Sequence, residues 1–362
     1  MINEDEIQEV LYTLGSELSR VYLRSMSNFT DELEVFIDRG DLEGARNHVR
    51  DLTLEPLYVD NRARIERYNL VAFKFGSRLI TEHPAGSNAQ VIPSIVTAAT
   101  AQTGMMLINL SKTIQDRLLN NLSALDTELI NESQKAEPEV DPKQRILTQF
   151  KQKLIQTARG GGASLVDMVS SLNTTRLVSY GFLNEAALTG ITAYRYNALM
   201  DVRTTEFCEH LNNRVFPIVN QLERLDTELR ITDSEQIRNY APFPKYSQID
   251  EFKSLSTEEL IARGWCYPPM HFYCRSIIEY VEGVIQVAGL EIPTAREGLQ
   301  EILTSDEIRA LLNMQGITNT VINLTKGALQ AGATALAIME SVGVSAETLG
   351  LIRAAIEAGI LE

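Results

Sequence analysis

The sequence predicts a mainly α-helical protein with a small α+β core module and helical N-terminal and C-terminal arms. Three observations carry that prediction. Apolar residues recur at three- and four-residue spacing over most of the chain. Alternating aromatic and β-branched residues are confined to short stretches near residues 194–202, 214–218 and 276–281. Finally, Trp265 to Ser276 gathers Cys266, His271 and Cys274 behind a double proline, Pro268-Pro269, that stiffens the approach to the histidine.

The elements follow in order. From Asn3 to about Arg39 the apolar positions Ile7, Val10, Leu11, Leu14, Leu18, Val21, Leu33, Phe36 and Ile37 share one helical face. Asn3 caps this stretch, Gly40 stops it, and a break near Ser27-Asn28 would divide it. Shorter helices are predicted over Leu42–Leu52 and Asn61–Leu79, with Pro56 between them. Their cations Arg62, Arg64 and Arg67 fit a solvated face better than a DNA contact. His83 to Asn88 reads as a loop, and Ile92 to Leu129 as one long helix that must pack along its length.

The polar, acidic stretch Glu132 to Pro142 reads as a linker. The chain therefore divides into a helical N-terminal domain (1–131), the linker (132–142), a central domain (143–283) and a helical C-terminal arm (284–362). The helix after the linker carries Lys143, Arg145, Lys151, Lys153 and Arg159. Lys143, Arg145, Lys151 and Lys153 are the candidate DNA contacts of an acidic chain, against the alternative of a solvated surface. Gly160-Gly161-Gly162 lacks the lysine and spacing of a phosphate loop and reads as a flexible break. Ser164 and Asp167 resemble a capping box ahead of helices over 165–172 and 175–188.

Strands are then expected at the end of Tyr194–Val202, after the Asn212-Asn213 turn, and over Ser276–Val281. Asn220 to Lys253 reads as an irregular insertion with a short helix begun by Thr232 and Glu235. Ser256 and Glu259 box a further helix that Gly264 ends. Beyond it Pro293, Ser305 and Ser345 mark helix starts, and Thr325 to Ile338 is an Ala/Gly-rich docking helix.

A net charge of −15 argues against a general nucleic-acid coat, which is usually basic. Three clustered cysteines fit the reduced thiols of an intracellular chain, and the acidic start Met1 to Glu6 lacks a signal-peptide n-region. The most apolar window, Val91 to Leu110, is too polar for a membrane span, so no membrane is required.

Zinc takes four ligands and favours thiolate and imidazole. Cys208, His271 and Cys274 supply three, with Cys266, His210 or Asp201 as the fourth, which would make a structural zinc site. Two alternatives stand beside it: small buried thiols without a metal, or a Cys208–His271 nucleophile pair for which no orienting residue is evident. Asp201 and Arg203 flank the upstream cysteine and Arg275 the downstream one. An Asp201–Arg275 ion pair would pin the two segments together.

The motif Asp-x-Arg-Thr-x-x-x-Cys-x-x-Leu-Asn-Asn-x-Val-Phe (201–216), followed by Pro-Pro-x-His-x-x-Cys-Arg-Ser (268–276), resembles the phage Mu F-like minor head protein family, also described as the phage head morphogenesis domain. The resemblance covers about Leu165 to Val281. Asn213 stands where many relatives have glycine, and residues 220–253 exceed the usual spacing between the motifs. The resemblance implies a minor head structural protein of a tailed bacteriophage. Such a protein sits in the virion, inside the head near the portal, and in the host cytoplasm during assembly. It acts in head morphogenesis and in genome packaging or delivery. The implied partners are the portal protein, major capsid or other head proteins, packaged DNA and further copies of itself. The competing reading is a metal-dependent nuclease or cysteine hydrolase built on Cys208, His271 and Cys274.

Overall fold

The computed structural model describes residues 4–80, 93–134, 142–189, 191, 193–281, 284–287, 290–293, 312, 317–357 and 361. The protein is mainly α-helical and carries a small three-stranded antiparallel sheet. It forms two compact units: one of Met1–Leu11, Glu66–Ala99 and Leu172–Glu362, the other of Tyr12–Ile65 and Thr100–Ser171. Their borders fall inside helices, so neither unit is one continuous run of chain. Glu132 and Ser133 end a helix and Pro142 begins the next; residues 135–141 and the expected loop His83–Asn88 lie outside the described residues.

Five helices open the chain: α1 (Glu4–Asp38), α2 (Leu42–Arg50), α3 (Glu55–Arg78), α4 (Pro93–Ser133) and α5 (Pro142–Gln156). Helix α1 has no break at Ser27-Asn28. Ser25 and Thr30 donate their hydroxyl hydrogens to carbonyls one turn back, which keeps polar side chains compatible with the helix. Gly40 stops the chain at φ +71°. Helix α3 starts earlier than expected because Pro56 lies in its first turn, where a missing N–H costs nothing.

Gly160-Gly161-Gly162 is not a flexible break. A π-helical turn, Thr157–Gly161, passes straight into α6 (Gly162–Leu188). The Tyr22 hydroxyl donates to the Ala158 carbonyl in that turn and lies against Gly162, leaving no space for a Cβ there. Ser164 is therefore inside a helix, bonded to the Gly160 carbonyl, and α6 is one helix rather than two.

The second half of α6 is buried on every side from Leu172 to Leu188. Some of its buried polar residues reach other elements for their partners. Asn173 Nδ2 donates to the Ala99 carbonyl (3.3 Å) and Ser179 Oγ to the Pro268 carbonyl (3.0 Å). Arg176 Nε lies 2.5 Å from Glu228 Oε1, both side chains being 3% exposed.

Strands β1 (Ala193–Asn197), β2 (Val215–Pro217) and β3 (Ile277–Tyr280) form the sheet in the order β2-β1-β3, with β1 at the start of the 194–202 stretch and not at its end, where Asp201 and Arg203 form a turn. Tyr194 faces Phe216 on one side and Tyr280 on the other, and Tyr196 faces Ile278. Period-two alternation buries Tyr194 and Tyr196 and exposes Arg195. Helix α7 (Glu206–Leu211) connects β1 to β2, and Asn213 after it takes φ +67°, the left-handed conformation asparagine tolerates.

The expected irregular insertion is instead largely helical: α8 (Val219–Arg230), α9 (Ser234–Tyr240) and α10 (Ile249–Ser254). Asp233, not Thr232, caps α9, accepting from the Glu235 and Gln236 amides. Helix α11 (Thr257–Arg263) has the Ser256/Glu259 capping box and ends at Gly264, φ +72°.

Beyond β3 the expectation of helix fails first. Val284–Val287 (β4) pairs antiparallel with Leu290–Pro293 (β5), so Pro293 closes a strand instead of opening a helix. The β-branched residues of Val284-Ile285-Gln286-Val287 favour that outcome. The start expected at Ser305 lies outside the described residues. The docking helix is two helices, α12 (Asn319–Gln330) and α13 (Ala335–Val342), parted at Gly332 (φ +76°) and followed by α14 (Ala346–Glu357). They attach to α6: the Ala335 amide donates to Asn184 Oδ1 (3.1 Å) and Arg353 Nη2 to Glu185 Oε1 (2.7 Å).

Candidate metal centre

The two motif segments meet. Cys208 Sγ lies 3.3 Å from His271 Nε2 and 3.7 Å from Cys274 Sγ. The candidate donor atoms of the three residues all lie within 4.8 Å of one another, close enough to hold a metal ion. Tetrahedral zinc, with Zn–S about 2.3 Å and Zn–N about 2.0 Å, implies S–S and S–N edges of about 3.8 and about 3.5 Å. The Cys208–His271 and Cys208–Cys274 contacts come close to those edges.

Local chemistry places each donor. Cys208 sits in the first turn of α7, whose cap Thr205 accepts from the Cys208 amide. Upstream, the Asp201 amide donates to Thr204 Oγ1 and the Arg203 amide to Asp201 Oδ1, closing a tight loop. On the other segment the Pro268-Pro269 bond is cis, Tyr273 adopts φ +59°, and the Cys274 amide donates to the His271 carbonyl. That turn folds His271 and Cys274 toward the same point. His271 Nδ1 lies 2.7 Å from the Phe272 carbonyl, to which it can only donate, so in the neutral ring Nε2 carries the free lone pair.

Electrostatics divides the two thiols. Cys208 is brought down to about 6, first by its hydrogen bond with Cys274; the hydroxyls of Ser276, Tyr196 and Thr205 add to this and burial opposes it. Burial pushes Cys274 well up, and its contact with Cys208 adds. The contact between the two sulfurs thus favours ionisation of Cys208 over that of Cys274. Tyr196 of β1 touches both sulfurs, at 3.4 and 3.8 Å, with its hydroxyl fully buried.

None of the three expected fourth ligands joins the cluster. Cys266 donates to Gln221 Oε1 (2.9 Å), and burial pushes its thiol up to about 12. His210 Nε2 lies 2.9 Å from Arg214 Nη2, and burial lowers its basicity. Asp201 is gripped by Arg275 through two hydrogen bonds, of 2.7 and 2.5 Å, and by Arg203 at 3.3 Å. The Asp201–Arg275 pair therefore does tie the segments together.

Arg275 first, and then the Arg203 amide, hold the Asp201 carboxyl well below the usual carboxylate range. Since folding depresses this value, the pair's contribution is complete above the unfolded-state value of about 4 and is lost as pH falls through the folded-state value. Asp201→Asn should accordingly flatten the acid limb of the stability–pH profile. A profile that keeps the wild-type acid limb would show that the pair does not support the fold.

Around the cluster, Thr204, Thr205, Cys208, His271, Arg275 and Ser276 help line a small cleft with about 10 Å³ of room for water centres, roughly one water. Tyr196 and Ser276 drew no notice as site residues in the sequence beyond strand alternation and the motif's last position; only their contact with the sulfurs identifies them.

The candidate DNA contacts belong to the other unit, on α5. Lys151 Nζ pairs with Asp38 (2.9 Å) and reaches Glu34 (3.9 Å). Lys153 lies over the Phe150 ring (5.6 Å), and Lys143 and Arg145 are exposed. Lys153 also faces an open groove shared with Arg117. Among the described residues no helix is long and apolar enough to cross a membrane. No protein-family model, curated protein or solved structure matches the chain significantly.

Proposed function

We propose that this chain is a minor head structural protein of a tailed bacteriophage. In this reading it lies inside the virion near the portal, is made in the host cytoplasm, and acts in head assembly and in genome packaging or delivery. The observation that carries the reading is the meeting of the 201–216 and 268–276 motifs through Cys208–His271 (3.3 Å) and the bidentate Asp201–Arg275 pair. A motif pair that also closes into one module supports the resemblance more than either segment alone. The portal protein, other head proteins, packaged DNA and further copies of the chain are its partners in this proposal.

The proposal includes a structural zinc ion on Cys208, His271 and Cys274. It would join α7 to the 271–274 turn, where the three donor atoms already lie within 4.8 Å of one another. The competing enzymatic reading has the Cys208–His271 contact in its favour. Against it, Cys208 is 2% exposed, the cleft has room for about one water, and His271 Nδ1 meets a backbone carbonyl instead of an orienting carboxylate.

Quantitative mass spectrometry of purified phage particles encoded beside this chain tests the assignment. The chain should be present at low copy relative to the major capsid protein and depleted from tails separated from heads. Its absence from intact particles would overturn the reading.

A further inference from the structure

The expected fourth ligands are all engaged elsewhere, and among the described residues only Cys208, His271 and Cys274 gather, which leaves the zinc proposed above one donor short. Two features surround the gap. On the inner side the buried Tyr196 hydroxyl lies against both sulfurs, at 3.4 and 3.8 Å, where it can donate a hydrogen bond to thiolate. On the outer side Cys208 and His271 form part of the wall of the one-water cleft, which neither Tyr196 nor Cys274 lines. A metal held among the three donors is therefore open to solvent on the Cys208–His271 side.

Formal charges indicate what enters. A divalent ion with two thiolates and a neutral imidazole is neutral. Arg203 and Arg275 line the cleft and bring their guanidinium groups beside the metal, with the Asp201 carboxylate bonded to both. The hydroxyls of Thr204, Thr205 and Ser276 complete a polar wall. Three protein ligands with a vacant position facing a cleft is the arrangement in which zinc takes an exogenous ligand.

We propose that the metal's fourth ligand is not a side chain of this protein but an exchangeable water, replaceable by a small monodentate anion drawn in by Arg203 and Arg275. The proposal rests on the zinc reading, with Tyr196 as a hydrogen-bond donor to the sulfurs. Binding conserves charge simply: the anion's lone pair replaces the water's on the metal, and the water leaves through the cleft.

Cobalt(II) replaces zinc in the full-length protein as a coloured probe, and azide serves as the anion. The expected results are a thiolate-to-cobalt charge-transfer band at one equivalent of metal and a saturable change in the cobalt d–d bands with azide. Arg203→Gln should keep the one-equivalent metal stoichiometry and weaken azide binding several-fold. Tyr196→Phe should leave the azide response in place. Cobalt bands indifferent to azide in the wild-type protein would overturn the open position, and bands that respond to azide only after Tyr196→Phe would point to a phenol ligand instead. Absence of any thiolate-to-cobalt band would refute the zinc reading itself.

Discussion

Glu228→Ala should cost the fold about 3–5 kcal/mol, the loss seen when one partner of a buried ion pair is removed. The mechanism is an uncompensated charge. Arg176 on α6 and Glu228 on α8 are each 3% exposed and lie 2.5 Å apart. The approach is off the Nε–H axis, so the contact is an ion pair more than a linear hydrogen bond. Arg176 Nη1 also donates to Asn173 Oδ1 (3.1 Å), and Tyr267 donates its hydroxyl to Glu228 Oε2 (2.9 Å). Burial keeps that Tyr267 hydroxyl protonated and hence a donor. The network so links α6 and α8 to the residue just before Pro268-Pro269, and loosening it should loosen the turn that presents His271. Chemical denaturation measures the cost. Arg176→Met with Glu228→Met should recover much of it, because no charge is then left unpaired. A single Glu228→Ala variant within about 0.5 kcal/mol of wild type would show that water reaches the pair.

Gly181→Ala should lose about 2–3 kcal/mol, although alanine is the better helix former. Helices α3 and α6 touch backbone to backbone. A Cβ on Gly181 would fall inside the contact shell of the Phe73 carbonyl oxygen, and one on Gly76 inside that of Val178. Ser77 Oγ, bonded to the Gly181 carbonyl at 3.2 Å, secures the crossing. Neither wall is a flexible side chain, so only separation of the helices relieves the overlap. Gly327→Ala in α12 is the matched control, since a Cβ there meets open space. It should stabilise by about 0.5–1 kcal/mol through helix propensity and lower unfolded-state entropy. Thermal melts of the two variants should move in opposite directions; a shared direction would remove the packing explanation.

The contrast between those glycines also shows how far sequence reasoning reached. The small residues of the 325–338 stretch, Gly327 and Gly332 with its alanines, would permit close helix approach, yet a Cβ on Gly327 meets open space while Gly76 and Gly181 meet backbone. Composition signals that a helix is permitted to approach closely. It does not signal that another helix does. The 220–253 stretch misled for a related reason: its prolines and tyrosines look irregular, but α8, α9 and α10 are helices, and short α10 packs its Phe252 on Phe207 and Trp265.

The candidate site was legible in part. The chemistry of Cys208, His271 and Cys274 stood out because thiols and imidazoles are rare in this chain, and the Asp201–Arg275 pair followed from their flanking positions. The role of Tyr196 did not, because a tyrosine on an alternating strand carries no mark of what its hydroxyl will meet. The fourth-ligand candidates failed because each sits near the site in sequence while its side chain faces another partner: Cys266 toward Gln221, His210 toward Arg214.

Local chemistry alone determined the helical class, strands β2 and β3 of the module, the positive-φ turn at Asn213, and the boxed start and glycine stop of α11. Each depends on residues a few positions apart, where backbone sterics and single hydrogen bonds decide. Tertiary structure alone decided that the glycine triplet continues a helix through a π turn, that α6 lies buried on all sides, and which donors face one point in space. Those outcomes depend on how segments far apart in the chain pack together, and such packing is a property of the whole core that no window of sequence contains.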